Sequence, residues 1–383
     1  MSVLVLARDY YPISAGGAFT DTEVAENAAE KGFDISVITL RLNESPSIET
    51  RNSVEIHRPI QSPFHDRPVG TPLNVFGEFL AAICLLFYAA IYRLRHDVEV
   101  IYSTNHLMHP VAAILSLGGT PVVNFVAYTP SLNSSNERLS NPLYLFEQIN
   151  FRMFMGNVVY SRNPDIRKQI ARLNPDSDVK LAHGVVNSEA LNAATRGIEE
   201  WGQKLYDEYD VSSSSTLLAF VGRLSELKRP SLAIESFSEL SDEHELLIVG
   251  DGHQREAAEA KAHKLGLEDR VHFLGMCPHE EALKTMLLCD IVLLTSTTES
   301  YPTVVFEALS ASCSVVSTPV GILPELSDDL DDLTLAPPEA LAKSVINSPS
   351  NSRQTVDEDL LRQFSVSRLA DDVCQTFRSE RVC

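Results

Sequence analysis

Apolar residues fall in short unbroken blocks, each separated from the next by a longer mixed stretch of helical spacing. Residues 3–7 form the first block and read as a parallel strand buried on both faces. A loop follows with Asp9, Tyr10, Tyr11, Pro12, Gly16 and Gly17. A helical stretch then runs to about Lys31, where Gly32 closes it. Residues 35–40, 98–102, 121–127, 158–160 and 179–181 predict further strands. Helices are expected to begin near His109 and Pro110 and to cover about 165–172. This alternation predicts a doubly wound parallel sheet. After the serine run 212–215 the pattern restarts, with strand-like blocks at 217–222, 246–250, 271–275, 291–295 and 314–317 and a final helix over 366–378. The chain therefore reads as α/β, with two successive Rossmann-like domains over 1–187 and 188–363 that meet near 184–195.

A length of 383 residues is too great for one ordinary core and suits two domains of similar size. Apolar residues at 44% are enough to fold both. The net charge of −21 argues against a general nucleic-acid binder. It is unevenly spread: residues 1–187 carry 15 basic and 18 acidic side chains, and residues 188–383 carry 16 and 34. An acidic second half that binds an anionic nucleotide needs a local basic device. Residues 73–92 form an apolar run with one charge, Glu78, followed by Arg93 and Arg95. The run is long enough to cross a bilayer, and it equally suits a helix buried against a sheet or lying on a membrane surface. Six cysteines without a CxxC pair suit reduced thiols in the cytoplasm. Secretion is not expected, because the start enters a strand without a basic region or cleavage signal.

The candidate chemistry centres on Glu299 and Glu307. They bracket a segment that follows a strand-like run and enters a helix-like one, with Pro302 at a position that suits a first helical turn. Helix N-termini bind phosphate through free N–H groups. Carboxylates beside such a site would repel the phosphate unless they face neutral donors such as sugar or ribose hydroxyls. The arrangement points to a nucleotide-sugar site. Arg223 and Lys228 follow the first strand of the second domain, where ligands bind in open α/β folds, and could neutralise a diphosphate or form a solvated surface pair. Gly16 and Gly17 could admit a phosphate to the backbone or make a tight turn, and they are not the dinucleotide GxGxxG. Gly250, Gly252 and Gly275 also end strand-like blocks, lining a cleft or turning the chain.

These motifs, in order, are Tyr11-Pro12 with Gly16-Gly17, Gly222-Arg223 with Lys228, Val249 to Gly252, Val271 to Gly275, Glu299 with Glu307, and Pro324-Glu325. The set resembles glycosyltransferase family 4 over nearly the whole chain, most strongly from 217 to 325. The resemblance implies a GT-B fold, two Rossmann-like domains facing across a cleft. It implies sugar transfer from a nucleotide donor with retention of configuration and no metal or other cofactor. By the same resemblance Arg223 and Lys228 hold the donor diphosphate and Glu299 contacts sugar hydroxyls, these three carrying the catalysis. Backbone at Ser300, Tyr301, Thr303 and Val304 would meet the phosphate, Glu307 would hold the ribose, and Gly16 and Gly17 would approach the diphosphate. The last helix, 364–383, would pack back on the first domain.

Several positions depart from the family pattern. Ala127 and Tyr128 stand where the family often has a histidine near the reacting centre. His106 and His109 follow the preceding strand and suit a contribution there, a helix start or packing equally. His183 stands where Asn is common, and Ser300 and Ser312 replace glycines. Asp176 and Asp178 match a DxD spelling but precede a strand, so they read as a solvated loop, as do the aspartates of 328–332. The implied partners are a nucleotide sugar and a glycan or lipid-linked acceptor. Peripheral contact with the cytosolic membrane face is expected from the 73–92 run and the basic residues between Arg138 and Arg172. The alternatives are a non-catalytic sugar-nucleotide-binding partner of another transferase, or a GT-B sugar-nucleotide epimerase.

Overall fold

A computed structural model describes residues 1–13, 16–42, 45–61, 72–127, 129, 142–212, 214–348 and 355–380. The chain divides into two compact units, Met1–Gly184 with Val366–Cys383, and Val185–Ser365.

The strands of the first unit are β1 (Ser2–Leu6), β2 (Asp34–Ile38), β3 (Ile48–Arg51), β4 (Val54–His57), β5 (Val100–Ser103), β6 (Val122–Val126), β7 (Val158–Ser161) and β8 (Asp178–Leu181). They form one sheet in the order β3-β4-β2-β1-β5-β6-β7-β8. Every neighbouring pair is parallel except β3 with β4. The helices are α1 (Gly16–Glu30), α2 (Pro72–Arg95), α3 (Met108–Leu115), α4 (Pro142–Met153) and α5 (Pro164–Leu173). Successive strand residues point to opposite faces, so an unbroken apolar strand needs cover on both. Val3 and Val5 join the core beneath α1 and the C-terminal helix Val366–Glu380. Leu4 and Leu6 join the core beneath α2 and α3.

The antiparallel edge hairpin β3–β4 was not expected from the pattern. Ile48, Glu49, Thr50 and Arg51 alternate between exposed and half-buried, so no apolar block announces a strand. The turn is made by Asn52 and Ser53 at φ of 45° and 63°, the left-handed backbone that two-residue hairpin loops use.

The 73–92 run is α2, and its inner face is committed to the unit. Ala81, Ala82, Leu85, Ala89 and Tyr92 are buried against the sheet. The Tyr92 hydroxyl lies 2.7 Å from Ser36 Oγ, and Tyr88 bonds His57. Phe76–Arg95 is long and apolar enough to cross a membrane by length and composition. These contacts make it a covering helix of the sheet instead of a span. The lone charge, Glu78, is buried and held by Arg8.

The strands of the second unit are β9 (Thr216–Val221), β10 (His244–Val249), β11 (Val271–Gly275), β12 (Ile291–Leu294), β13 (Ser314–Ser317) and β14 (Leu333–Leu335). All pairs are parallel, in the order β11-β10-β9-β12-β13-β14. The helices are α6 (Ser188–Ala194), α7 (Ile198–Tyr209), α8 (Pro230–Phe237), α9 (Arg255–Leu265), α10 (His279–Leu288), α11 (Thr303–Ser310), α12 (Leu323–Leu326), α13 (Leu341–Asn347) and α14 (Glu358–Phe364). The strand order reverses between β9 and β12. Open α/β sheets bind ligands outside the carboxyl ends of their strands at such a switch point.

Candidate active site

The loops after β9 and β12 meet at this switch point. Arg229 clips them together. Its Nε donates to Thr295 O at 2.6 Å and its Nη2 to Ser296 O at 3.1 Å. In return Thr295 Oγ1 donates to Lys228 O at 2.7 Å and Arg229 O at 3.0 Å. With both backbones pinned, Lys228 Nζ sits 2.5 Å from Glu299 Oε1. Ser296 Oγ donates to the same oxygen at 2.7 Å. Glu299 Oε2 makes no hydrogen bond among the described residues. Arg223 is exposed one residue beyond Gly222, with no ion pair among the described residues.

Glycines let these loops approach one another. Gly321, at φ +59°, lies against the peptide after Glu299: a Cβ there would stand 2.6 Å from Ser300 O and 2.8 Å from Glu299 O. Gly250, at φ +128°, ends β10, and a Cβ on it would collide with Gly222 O. At Gly250 the strand-ending glycine serves backbone packing beneath the site.

Pro302 precedes α11, whose first turn leaves N–H groups of Thr303 and Val304 without helical acceptors. Thr303 is exposed, and Ser300 and Val304 are half-buried. The Tyr301 ring stacks on Phe306 at 4.5 Å and is itself buried, which holds the loop against the helix. Glu307 is 7% exposed and its Oε1 lies 2.8 Å from Nε2 of His279, at the start of α10. His279 and Arg229 carry no local sequence signal, because their partners lie 28 and 66 residues away, and Ser296, three residues before Glu299, belongs to no motif.

The hydrogen bond to Glu307, and then its charge, raise the His279 pKa above its ordinary 6.5 although burial opposes this. This pair stabilises the fold fully below pH 6.5, and the contribution is lost as pH rises through the raised folded value. Thermal unfolding from about pH 6 to 9 is therefore expected to show a decline that His279→Ala flattens. An unchanged profile in that variant would contradict the pairing.

In the first unit Gly16 and Gly17 begin α1. A Cβ on Gly17 would meet nothing within 4 Å, so close packing does not require glycine there. Arg8, just past β1, holds Glu78 through Nε at 2.6 Å and Nη2 at 2.9 Å, and Asp9 through Nη1 at 2.6 Å. Burial, with the Arg8 charge adding, pushes His106 down to about 4. His109 is wholly buried, its Nδ1 within 2.9 Å of Ser103 Oγ and 3.1 Å of Asn124 Nδ2, and burial pushes it to about 3. It packs the core. His183 is half-buried and its pKa is lowered, first by burial. Ala127 is half-buried just past β6, and Tyr128 and Arg138 lie outside the described residues. Asp176 and Asp178 are exposed, and Asp178 pairs with Lys180 at 3.6 Å. Of the 328–332 aspartates, Asp328, Asp329 and Asp331 are exposed. Among the described residues no group of three or more His, Cys, Asp or Glu is placed to hold a metal ion.

Residues 205–355 match the family model for glycosyl transferases group 1. The chain is 23% identical to N-acetyl-alpha-D-glucosaminyl L-malate synthase of Bacillus anthracis, over 97% of this chain and 92% of that protein. Among solved structures, sucrose-phosphate synthase of Thermosynechococcus elongatus superposes with a TM-score of 0.76 at 16% identity, covering 99% of this chain and 98% of the other. Anabaena HepE in complex with UDP-glucose superposes with a TM-score of 0.66 at 16% identity, covering 99% and 100%. These matches, with two parallel-sheet α/β units, give the chain the GT-B architecture, and its residues 205–355 are a segment of the glycosyl transferases group 1 type.

Proposed function

We propose that the chain takes its sugar from a nucleotide-diphosphate sugar and transfers it, with retention of configuration, to a glycan or lipid-linked acceptor. The Lys228–Glu299 pair at the β9/β12 switch point, beside the N-terminus of α11, carries this reading. Before donor arrives the two charges offset each other. On binding, Lys228 and the exposed Arg223 face the diphosphate, helped by the N–H groups of Thr303 and Val304. Glu299 Oε2 is left to accept from sugar hydroxyls. Glu307 accepts from the ribose, with His279 fixing the carboxylate.

As the bond from the anomeric carbon to phosphate oxygen breaks, negative charge grows on the departing diphosphate. A pinned ammonium and a helix N-terminus stabilise that charge without reorganising. In this reading they supply what a metal ion supplies in other transferases. Attack on the face the diphosphate leaves, with a phosphate oxygen taking the acceptor's proton, needs no enzyme nucleophile.

HepE was crystallised with UDP-glucose, which makes that donor the first to try. Ala127, where a histidine was expected, favours a second reading, a non-catalytic sugar-nucleotide-binding partner. Mass spectrometry of the full chain with a panel of nucleotide sugars and acceptors separates them. Consumption of one donor with release of its nucleoside diphosphate and a glycosylated acceptor supports transfer. Binding without turnover supports the partner reading, and an epimerised sugar released without acceptor would replace both.

A further inference from the structure

The outer face of α2 is an apolar stripe. Phe76, Leu80, Ile83, Phe87, Ile91 and Leu94 recur three and four residues apart and are 36–87% exposed. On α4, Leu145, Ile149 and Met153 make a second stripe, 43–67% exposed. Phe79 and Phe146, with ring centroids 5.6 Å apart, join the two helices. With Ile114 and Leu117 beside them, these elements hold 13 of the 18 exposed large apolar side chains among the described residues. The patch is on the order of 1,000 Å², against about 300–600 Å² for the largest on a typical monomer.

The charges on these helices narrow the partner. Their acids, Glu78 and Glu147, are 8% and 1% exposed. Arg95 and Arg152 are exposed, while Arg93 is half-buried and tied to Leu115 O and Thr120. Asp97 lies exposed just beyond α2. A chain of net charge −21 thus presents two exposed arginines on the helices that hold most of the exposed large apolar side chains among the described residues. A symmetric dimer through this face would offer these arginines no exposed acid on α2 or α4 to pair with.

We propose that α2 and α4 seat the chain on an anionic lipid bilayer, with the apolar stripes in the headgroup boundary and Arg95 and Arg152 among the phosphates. The surface lies on the unit that does not carry the Lys228–Glu299 pair, so donor chemistry and membrane seating can fail separately.

Sedimentation of the full chain with phosphatidylcholine vesicles, with and without about 30% phosphatidylglycerol, tests this at about 50 and 500 mM salt. The chain is expected to sediment with the anionic vesicles. Ile83→Glu with Phe87→Glu is expected to lose at least about tenfold of that binding at either salt. Arg95→Glu with Arg152→Glu is expected to lose about tenfold at low salt and little at high salt. Ile83 and Phe87 are 50% and 66% exposed, so circular dichroism and nucleotide-sugar turnover should match the unsubstituted chain. The proposal is overturned if the chain ignores both vesicle types, or if the Ile83/Phe87 variant binds undiminished. It is also overturned if sedimentation velocity shows a dimer that this variant makes monomeric.

Discussion

Glu299→Gln is expected to lower sugar transfer at saturating donor by about 10- to 100-fold while leaving affinity for the free nucleoside diphosphate equal or tighter. The split follows from the geometry. Glu299 Oε1 shares Lys228 Nζ at 2.5 Å, so removing its charge frees the ammonium for the phosphate. The same change weakens the carboxylate grip on the sugar, where hydrogen bonds to a charged group contribute about 1.5–3 kcal/mol. Stability should change by about 1 kcal/mol or less, since the pair is partly solvated, with side chains 25% and 15% exposed. Steady-state kinetics with calorimetric titration of the nucleoside diphosphate checks both halves. A fall in diphosphate affinity with unchanged transfer would contradict the assignment.

Gly321→Ala is expected to destabilise the second unit by about 2–5 kcal/mol and to weaken donor binding at the same time. The residue sits at φ +59°, and its Cβ would press on the carbonyl oxygens of both Glu299 and Ser300. Relief requires the loop to shift, and the loop carries Glu299. Gly250→Ala should destabilise similarly through collision with Gly222 O, and it acts beneath Lys228 instead of Glu299. Denaturant unfolding measures the first effect. The ratio of KM to kcat in the surviving folded fraction measures the second. A stable Gly321→Ala chain would mean that the loop does not pack as described.

Most strands were legible because parallel strands buried on both faces are written as unbroken apolar blocks. The β3–β4 hairpin was not, because its edge strand is half solvated and its turn is Asn52-Ser53 instead of a glycine pair. β14 was missed because three residues make too short a block. Within the candidate site, residue types and chain positions were legible and pairings were not. Lys228 and Glu299 were read as separate ligands for phosphate and hydroxyl. They lie 71 residues apart and grip one another. The His279 partner of Glu307 is 28 residues away on another helix, with no local signal. Glu78 was legible as the one charge of an apolar run, and its partner Arg8, 70 residues earlier, was not.

If the β9/β12 switch point binds the nucleotide-sugar donor through Lys228 and Glu299, donor affinity depends on the Lys228 ammonium. Calorimetric titration of UDP and UDP-glucose into the full chain and into Lys228→Ala tests it most directly. Both ligands should bind the unsubstituted chain, and both should lose about 10- to 100-fold in affinity on loss of the ammonium, a difference of about 1.4–2.8 kcal/mol. Equal affinities in the two proteins would contradict it.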